Sequence, residues 1–258
     1  MVLVAFGVLG WRKYTYDRAC RQLAEAGIVS NADEWEEGQA FRWQFIREDW
    51  RFWPLIFENS ELNWSLDYDK AATLRSLDGV ANALRRVDPK SLQLFRSEAL
   101  QNLDGLKGLA ALTKITLSDC NALRNLDGLR QAAALQELHF LDSRLLENVD
   151  VLKGLVKLDS VNLGGCTALQ NLDGLRGLNA LTQLGLGKCT SLQNLDALQN
   201  LTALEVLDLS GCTGLQNIDA IKGLSALKVI TLSGCTKLPT DSVKALKAAL
   251  PNTSIDGP

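Results

Sequence analysis

Six cysteines are the residues of this chain best suited to redox or metal chemistry. Five of them share one column of a 23-residue spacing, and serine fills that column at two other points. The members of this Cys/Ser column are Ser97, Cys120, Ser143, Cys166, Cys189, Cys212 and Cys235. The chain has no C-x-x-C pair, and its single histidine is too few for a Cys/His zinc site. Stacked neighbours would also have parallel Cβ vectors, which disfavour a disulfide. The column therefore predicts structural free thiols that bond the backbone of neighbouring repeats.

The single histidine, His139, stands two residues after Glu137 and suggests an acid–base pair. Catalysis by such a pair also needs a nucleophile and a cleft that excludes water. The chain has no G-x-S-x-G, no phosphate-cradling glycine loop and no metal-ligand constellation. The sequence therefore predicts a protein that is not an enzyme and that holds no cofactor.

These residues belong to a repeat that determines where they lie. From Leu100 the chain recurs every 23 residues, and further units begin at 123, 146, 169, 192 and 215. Each unit carries an Asn and, two residues on, an Asp; this Asp column is Asp104, Asp127, Asp150, Asp173, Asp196 and Asp219. A degenerate unit begins at Leu74, and its Asp78 precedes Asp104 by 26 residues, so it contains a three-residue insertion. About seven stacked coils are expected.

Within a unit, one segment predicts a strand and the next a tight turn. Leu184 and Leu186 alternate with small or polar neighbours, which is the period of a half-buried strand. Leucines at three-residue spacing over 192–204 suit a 3₁₀ or one-turn helical segment. Asp196 is predicted to cap that turn by accepting a backbone N–H two or three residues on. In four of the six units a glycine such as Gly177 follows the Asp by four residues, where it can end the turn with positive φ.

The pattern L-x-x-L-x-L-x-x-C-x-x-L resembles the leucine-rich-repeat family, with cysteine where asparagine is more frequent. The 23-residue length and short convex turn are most similar to bacterial and SDS22-like variants. The resemblance covers roughly residues 74–250 and implies an α/β solenoid shaped as a horseshoe. It implies a parallel concave sheet of about seven strands, short 3₁₀ or helical convex turns and, usually, protein recognition on that sheet.

The chain divides into four segments: an apolar start (1–13), an aromatic-rich N-terminal cap (14–73), the repeats (74–238) and a C-terminal cap (239–258). Caps are expected because a solenoid exposes apolar surface at both ends. The N-terminal cap is predicted to be helical, with helices near 17–26 and 34–53. In the C-terminal cap, Asp241 is predicted to cap a helix over 242–250, and Ile255 can add a last strand.

Two N-terminal features each have two interpretations. The apolar segment 1–13 is either a buried strand or helix, or the back half of a membrane anchor if Met1 is a late start. The protein is then membrane-tethered in the second case and cytoplasmic in the first. The aromatic-rich helix over 34–53 either seals the first coil or presents a surface to a partner, because Trp and Arg are rich in binding hot spots.

Strand alternation places one set of side chains on the concave face, where a protein partner would bind. Most are small, and the exceptions are Phe95, Lys114, Glu137, His139, Leu141 and Asp208. The first five lie in the N-terminal half, so the contact surface is predicted there. The sequence indicates a scaffold that binds a macromolecule; the alternative is a structural or membrane-tethered cell-envelope protein without one specific ligand, whose concave face is passive.

Charge argues against nucleic acid as that macromolecule. The net charge is −3 and the pI about 5.3, whereas phosphate binding needs a clearly basic face. A second convex column is mostly basic: Lys107, Arg130, Lys153, Arg176, Gln199 and Lys222. It serves solubility or forms a stripe for anionic lipid or nucleic acid, and the neighbouring Asp column reduces its charge. The sequence names neither the partner nor the oligomeric state.

Overall fold

The computed structural model describes residues 18, 21–23, 25, 28–30, 63–66 and 75–257. Segment 1–13, the helix expected over 34–53 and Cys20 lie outside the described residues, so both interpretations of each segment stay open. Residues 18, 21–23 and 25 are helical, in the span where the sequence predicts a helix. Leu23 in this helix is fully buried and belongs to the same core as the repeats.

Each repeat contributes one short strand to a single sheet. The strands are β1 (Ile28–Ser30), β2 (Asn63–Leu66), β3 (Ser91–Phe95), β4 (Lys114–Ser118), β5 (Glu137–Leu141), β6 (Ser160–Asn162), β7 (Gln183–Gly185), β8 (Val206–Asp208), β9 (Val229–Thr231) and β10 (Ser254–Asp256). They lie in chain order, and β2 to β10 are mutually parallel. The seven strands predicted from the repeats, β3 to β9, are confirmed.

The sequence analysis predicted a helical N-terminal cap. The cap also supplies two strands, so it is not purely helical. β2 pairs in parallel with β3, and β1 pairs antiparallel with β2. The physical reason is the edge of the sheet: without β2, the outer backbone groups of β3 would be unpaired. At the other end β10, which contains Ile255, pairs with β9 as expected.

A three-residue 3₁₀ turn lies opposite the sheet in each repeat and begins at the Asp column. These turns are Asp78–Val80, Asp104–Leu106, Asp127–Leu129, Asp150–Leu152, Asp173–Leu175, Asp196–Leu198 and Asp219–Ile221. In the first repeat the turn runs directly into α1 (Ala81–Val87), which accounts for the three-residue insertion. The leucines between strand and turn are fully or almost fully buried and form one continuous core.

The C-terminal cap is α2 (Thr240–Ala249), with Val243 and Leu246 buried against the last repeat. The predicted role of Asp241 as its N-cap is wrong. Asp241 lies inside the first turn and forms an exposed ion pair with Lys244 at 3.1 Å, while Pro239 precedes the helix without a side-chain capping bond. Proline before the helix and an acid in its first turn together start the helix without such a bond.

Candidate interaction surface

The concave face carries the alternate residues of each strand, as predicted. In β4 and β5 the second and fourth residues are buried, and the first, third and fifth face solvent. The strands pair without offset, so residues 23 apart are neighbours across the sheet: Lys114 lies opposite Glu137, and Thr116 opposite His139. The concave side chains therefore form straight rows across the strands, about 4.8 Å apart within a row.

The strongest apolar feature in the N-terminal half is Phe95, which is 40% exposed. Ser118 lies opposite Phe95 on β4, and Leu141 lies opposite Ser118 on β5. Phe95 and Leu141 thus flank one small serine in the same row, about 10 Å apart. The sequence placed both residues on this face, and the structure brings them into one patch, which we call the Phe95–Leu141 patch.

Next to this patch lies a polar cluster of three predicted residues. Lys114 and Glu137 form a cross-strand ion pair with Nζ and Oε2 2.6 Å apart. His139 Nε2 lies 3.4 Å from Ser160 Oγ. Burial is the main cause that lowers the pKa of His139, the charge of Lys114 lowers it further, and Glu137 opposes the change. Histidine is therefore neutral at pH 7, and Glu137 is engaged by lysine rather than by the imidazole.

Asp208, the sixth predicted residue, lies on β8 and apart from the other five. It borders an open depression of about 460 Å³ that spans β5 to β8 and also reaches Glu137 and His139. One Asp208 carboxylate oxygen accepts the backbone N–H of Ser210 at 2.8 Å. The depression is lined further by Asp159, Ser160, Val161, Asn162, Gln183, Leu184, Gly185 and Val206.

Sequence reasoning missed two features of this half of the face. Val206 and Val229 are opposite each other on β8 and β9 and are 39% and 41% exposed. Valine is neither large nor charged, so its type alone did not distinguish these positions from the small residues of the face. The second feature is the depression, whose floor depends on Gly185: because glycine has no Cβ, the Asn162 amide can lean across β7, with its Oδ1 2.7 Å from where a Cβ would lie. Glycine between polar columns is the only sequence signal of such a feature.

The five described cysteines are free and buried. The thiols of Cys189, Cys212 and Cys235 donate to carbonyl oxygens 26 residues earlier, at 3.0–3.2 Å. Burial raises the pKa of Cys166 and Cys212 to about 12. These thiols are therefore protonated at neutral pH, and with Cys166 they join successive coils through hydrogen bonds. Cys120 differs from the expectation based on the sequence, because its thiol donates to the Ser118 carbonyl of its own coil at 3.6 Å.

The two serines of the Cys/Ser column behave differently. Ser97 and Ser143 are fully buried, yet neither hydroxyl has a hydrogen-bond partner among the described residues. The expectation that the column bonds neighbouring backbone is wrong at Ser143, whereas the corresponding carbonyl for Ser97 lies outside the described residues. Serine has a shorter bond from Cβ to its donor atom than cysteine has, so its hydroxyl stops short of the carbonyl in the adjacent coil.

The predicted capping role of the Asp column is also corrected. The asparagine two residues earlier performs it: Asn171 Oδ1 accepts the N–H of Asp173 at 3.1 Å, and the same bond recurs in the other five 23-residue units. The aspartates instead pair with the basic convex column in four repeats, at Asp104, Asp127, Asp173 and Asp219. Asparagine makes this bond because its oxygen reaches the N–H at the start of the turn, while the Asp side chain projects outward.

Glycine ends the turn with positive φ in three of the four predicted repeats. Gly108, Gly154 and Gly177 have φ of 85°, 92° and 81°. Gly223 is not among the residues with positive φ. The residue before it explains the difference: Arg176 has ψ 126° ahead of Gly177, whereas Lys222 has ψ −25°. The same glycine column therefore serves two turn types.

The described residues contain no group of three or more His, Cys, Asp or Glu side chains that could hold a metal ion. Within the same part of the chain, no helix is long and apolar enough to cross a membrane.

Comparisons with known proteins support the fold. No family model matches the chain, and neither does any curated protein. Solved structures do: an internalin C2 from Listeria monocytogenes is 20% identical with a TM-score of 0.50, over 70% of this chain and 81% of that one. A chain of the mouse RP105/MD-1 complex is 17% identical with a TM-score of 0.50, over 71% of this chain and 32% of that one. An internalin InlF from Listeria monocytogenes is 15% identical with a TM-score of 0.44; the alignment covers 67% of this chain and 62% of the internalin.

At these identities the likeness shows the fold alone. The neighbours are leucine-rich-repeat proteins, and the parallel strand stack with regular 3₁₀ turns is the same architecture. The chain is thus a leucine-rich-repeat solenoid, and the resemblance inferred from its sequence is confirmed.

Proposed function

We propose that this protein is a non-catalytic scaffold that binds a protein partner on the N-terminal half of its concave face. The observation that carries the proposal is the Phe95–Leu141 patch, in which an aromatic ring is 40% exposed on a continuous sheet. Aromatic side chains, phenylalanine included, are enriched in protein interfaces. A rigid strand holds such an anchor at little entropic cost on binding.

The polar cluster beside the patch supports the same proposal. Lys114 and Glu137 are 38% and 41% exposed at the side chain, so their ion pair lies at the surface and contributes little to folding. Exposed pairs of this kind set the orientation and rate of association. His139 is neutral and half-buried, which suits an interface where a charged imidazole would be costly to desolvate.

Size and shape favour a macromolecule over a small molecule. The seven repeat strands span about 30 Å, which suffices for an interface of ordinary area. Small-molecule sites usually enclose most of their ligand. The depression on this face is open to solvent and shared among four strands.

The test is a pull-down from lysate of the source organism with the intact chain and a Phe95→Ser, His139→Ser, Leu141→Ser variant. The control is Val156→Ser, which removes a 61% exposed valine away from the concave face. Circular dichroism verifies that all three proteins fold. We expect a protein retained by the intact chain and by the control, and lost by the triple variant.

Retention of the same proteins by all three baits would contradict the proposal and favour a passive structural repeat protein. A second pair of variants tests the polar cluster: Lys114→Glu and Glu137→Lys should each weaken capture of the same partner. Unchanged capture by both charge reversals would remove this cluster from the interface.

A further inference from the structure

The depression over β5 to β8 has a one-sided set of charges. Three acids line it, Glu137, Asp159 and Asp208, and no lysine or arginine lines it in the part of the chain that the structure describes. The amides of Asn162 and Gln183 and the hydroxyl of Ser160 also line it and offer oxygen acceptors. The site is therefore rich in acceptors and open to solvent.

Two of the three carboxylates have no cation to balance them. The charge of Glu137 is held by Lys114 at 2.6 Å. Asp159 accepts the Thr182 hydroxyl at 2.6 Å, and Asp208 accepts a backbone N–H. Among the described residues, neither forms an ion pair, in contrast to the four paired aspartates of the convex turns.

The imidazole beside them adds little positive charge at neutral pH. Burial lowers the pKa of His139, and the charge of Lys114 lowers it further. Lys114 lies beside the depression on β4, and its charge is already paired with Glu137 at 2.6 Å. The depression thus stays electronegative where a partner would approach.

The shape of the depression suits a long side chain. The Asn162 amide, which lies over Gly185, forms its floor, and Asp208 lies opposite Gly185 on the next strand. Val206, 39% exposed, supplies an apolar wall next to this floor. Lysine and arginine have an aliphatic stem that packs on apolar surface and a cationic head that bonds carboxylates.

We infer that this depression receives a lysine or arginine side chain of a protein partner, with the stem against Val206 and the cationic head at Asp208 or Asp159. This inference rests on the proposed function and gives the partner its chemistry: a segment whose basic residue enters the concave face between β5 and β8. The Phe95–Leu141 patch and the depression would then contact different parts of one partner.

The test uses amide NMR of the full ¹⁵N-labelled chain and two blocked pentapeptides as probes. One is Gly-Gly-Arg-Gly-Gly; the other replaces arginine with citrulline, which has the same shape without the charge. The variants are Asp159→Asn with Asp208→Asn, and the control is Asp241→Asn, an exposed acid on α2. Spectra of the free proteins show whether each variant folds.

We expect saturable shifts of the Gly185 and Gly187 amides with the arginine peptide, at least threefold larger than with the citrulline peptide. The double variant should lose this response, and Asp241→Asn should keep it. Equal shifts with both peptides, no saturable shift at Gly185, or an unchanged response in the double variant would each overturn the inference.

The pull-down separates this inference from the proposed function. A partner that is lost by the Phe95, His139, Leu141 triple variant but retained fully by the Asp159→Asn, Asp208→Asn variant would overturn the inference and leave the scaffold proposal standing. Loss of the partner from both variants supports both. A saturable arginine response without any captured partner supports the depression as a cation site and contradicts the scaffold proposal.

Discussion

Gly177 and Gly223 occupy the same column of the repeat, yet replacing each with alanine should have opposite effects on stability. Gly177 has φ 81°, whereas Gly223 is not among the positive-φ residues. A Cβ at either position would meet no atom within 4 Å, so steric overlap with neighbours contributes to neither variant. The two substitutions therefore differ only in backbone conformation.

The magnitudes follow from two opposing terms. Alanine in place of glycine reduces the entropy of the unfolded chain and stabilises the folded protein by about 0.4–1 kcal/mol in both variants. At Gly177 the left-handed backbone costs an L-residue about 1–2 kcal/mol. Gly177→Ala should thus lose about 1 kcal/mol of unfolding free energy, and Gly223→Ala should gain about 0.4–1 kcal/mol.

Urea unfolding followed by circular dichroism measures both variants against the parent chain, with equal m-values as the condition for comparison. The unfolded-state term is common to both, so the difference between the variants isolates the backbone strain and should be about 1–2 kcal/mol. Equal unfolding free energies for the two variants would refute the assignment of two turn types to this column.

Three further predictions concern buried or half-buried groups. Ser143→Ala should raise the unfolding free energy by about 1 kcal/mol in urea titrations, because it removes a buried hydroxyl without a partner; a loss of stability would contradict that picture. Cys166, with its pKa raised to about 12 by burial, should resist iodoacetamide at pH 8 in the folded chain and react once unfolded, as site-resolved mass spectrometry would show; labelling of the native protein would be inconsistent with it. Burial lowers the pKa of His139, so an NMR titration of its imidazole should give a pKa below 6.5. Because the unfolded chain then binds more protons, stability should fall as the pH drops through about 6.5, and a His139→Gln variant should lack this component.

The strands and their solvent-facing residues could be predicted from the sequence. Alternation with a period of two, repeated every 23 residues, fixes where each strand lies and which of its residues face solvent. Each of Phe95, Lys114, Glu137 and His139 was placed on the correct face by alternation alone. Neighbours within a row also follow from the repeat, since residues 23 apart pair directly. Periodicity therefore determines which face a strand residue lies on and which residue lies opposite it.

Features that depend on less than a bond length could not be predicted in this way. Asn171 and Asp173 both carry a short acceptor near the same turn, and only the geometry of the loop decides which one reaches the N–H. Serine and cysteine both occur in one column of the repeat. The thiol of Cys189 nevertheless reaches a carbonyl, and the hydroxyl of Ser143 does not. The depression depends on how the Asn162 side chain leans over Gly185, which no periodicity encodes.

Because the strands pair without offset, positions along the sheet are separated by equal steps. Every repeat advances the face by one strand spacing of about 4.8 Å and moves no row sideways. Duplicating the 23-residue unit that contains β7 would move Asp208 one such step further from Asp159 and leave the Phe95–Leu141 patch unchanged. The distance between two contacts on a partner can therefore change in fixed increments, by gain or loss of whole repeats, without any change in the contacts themselves.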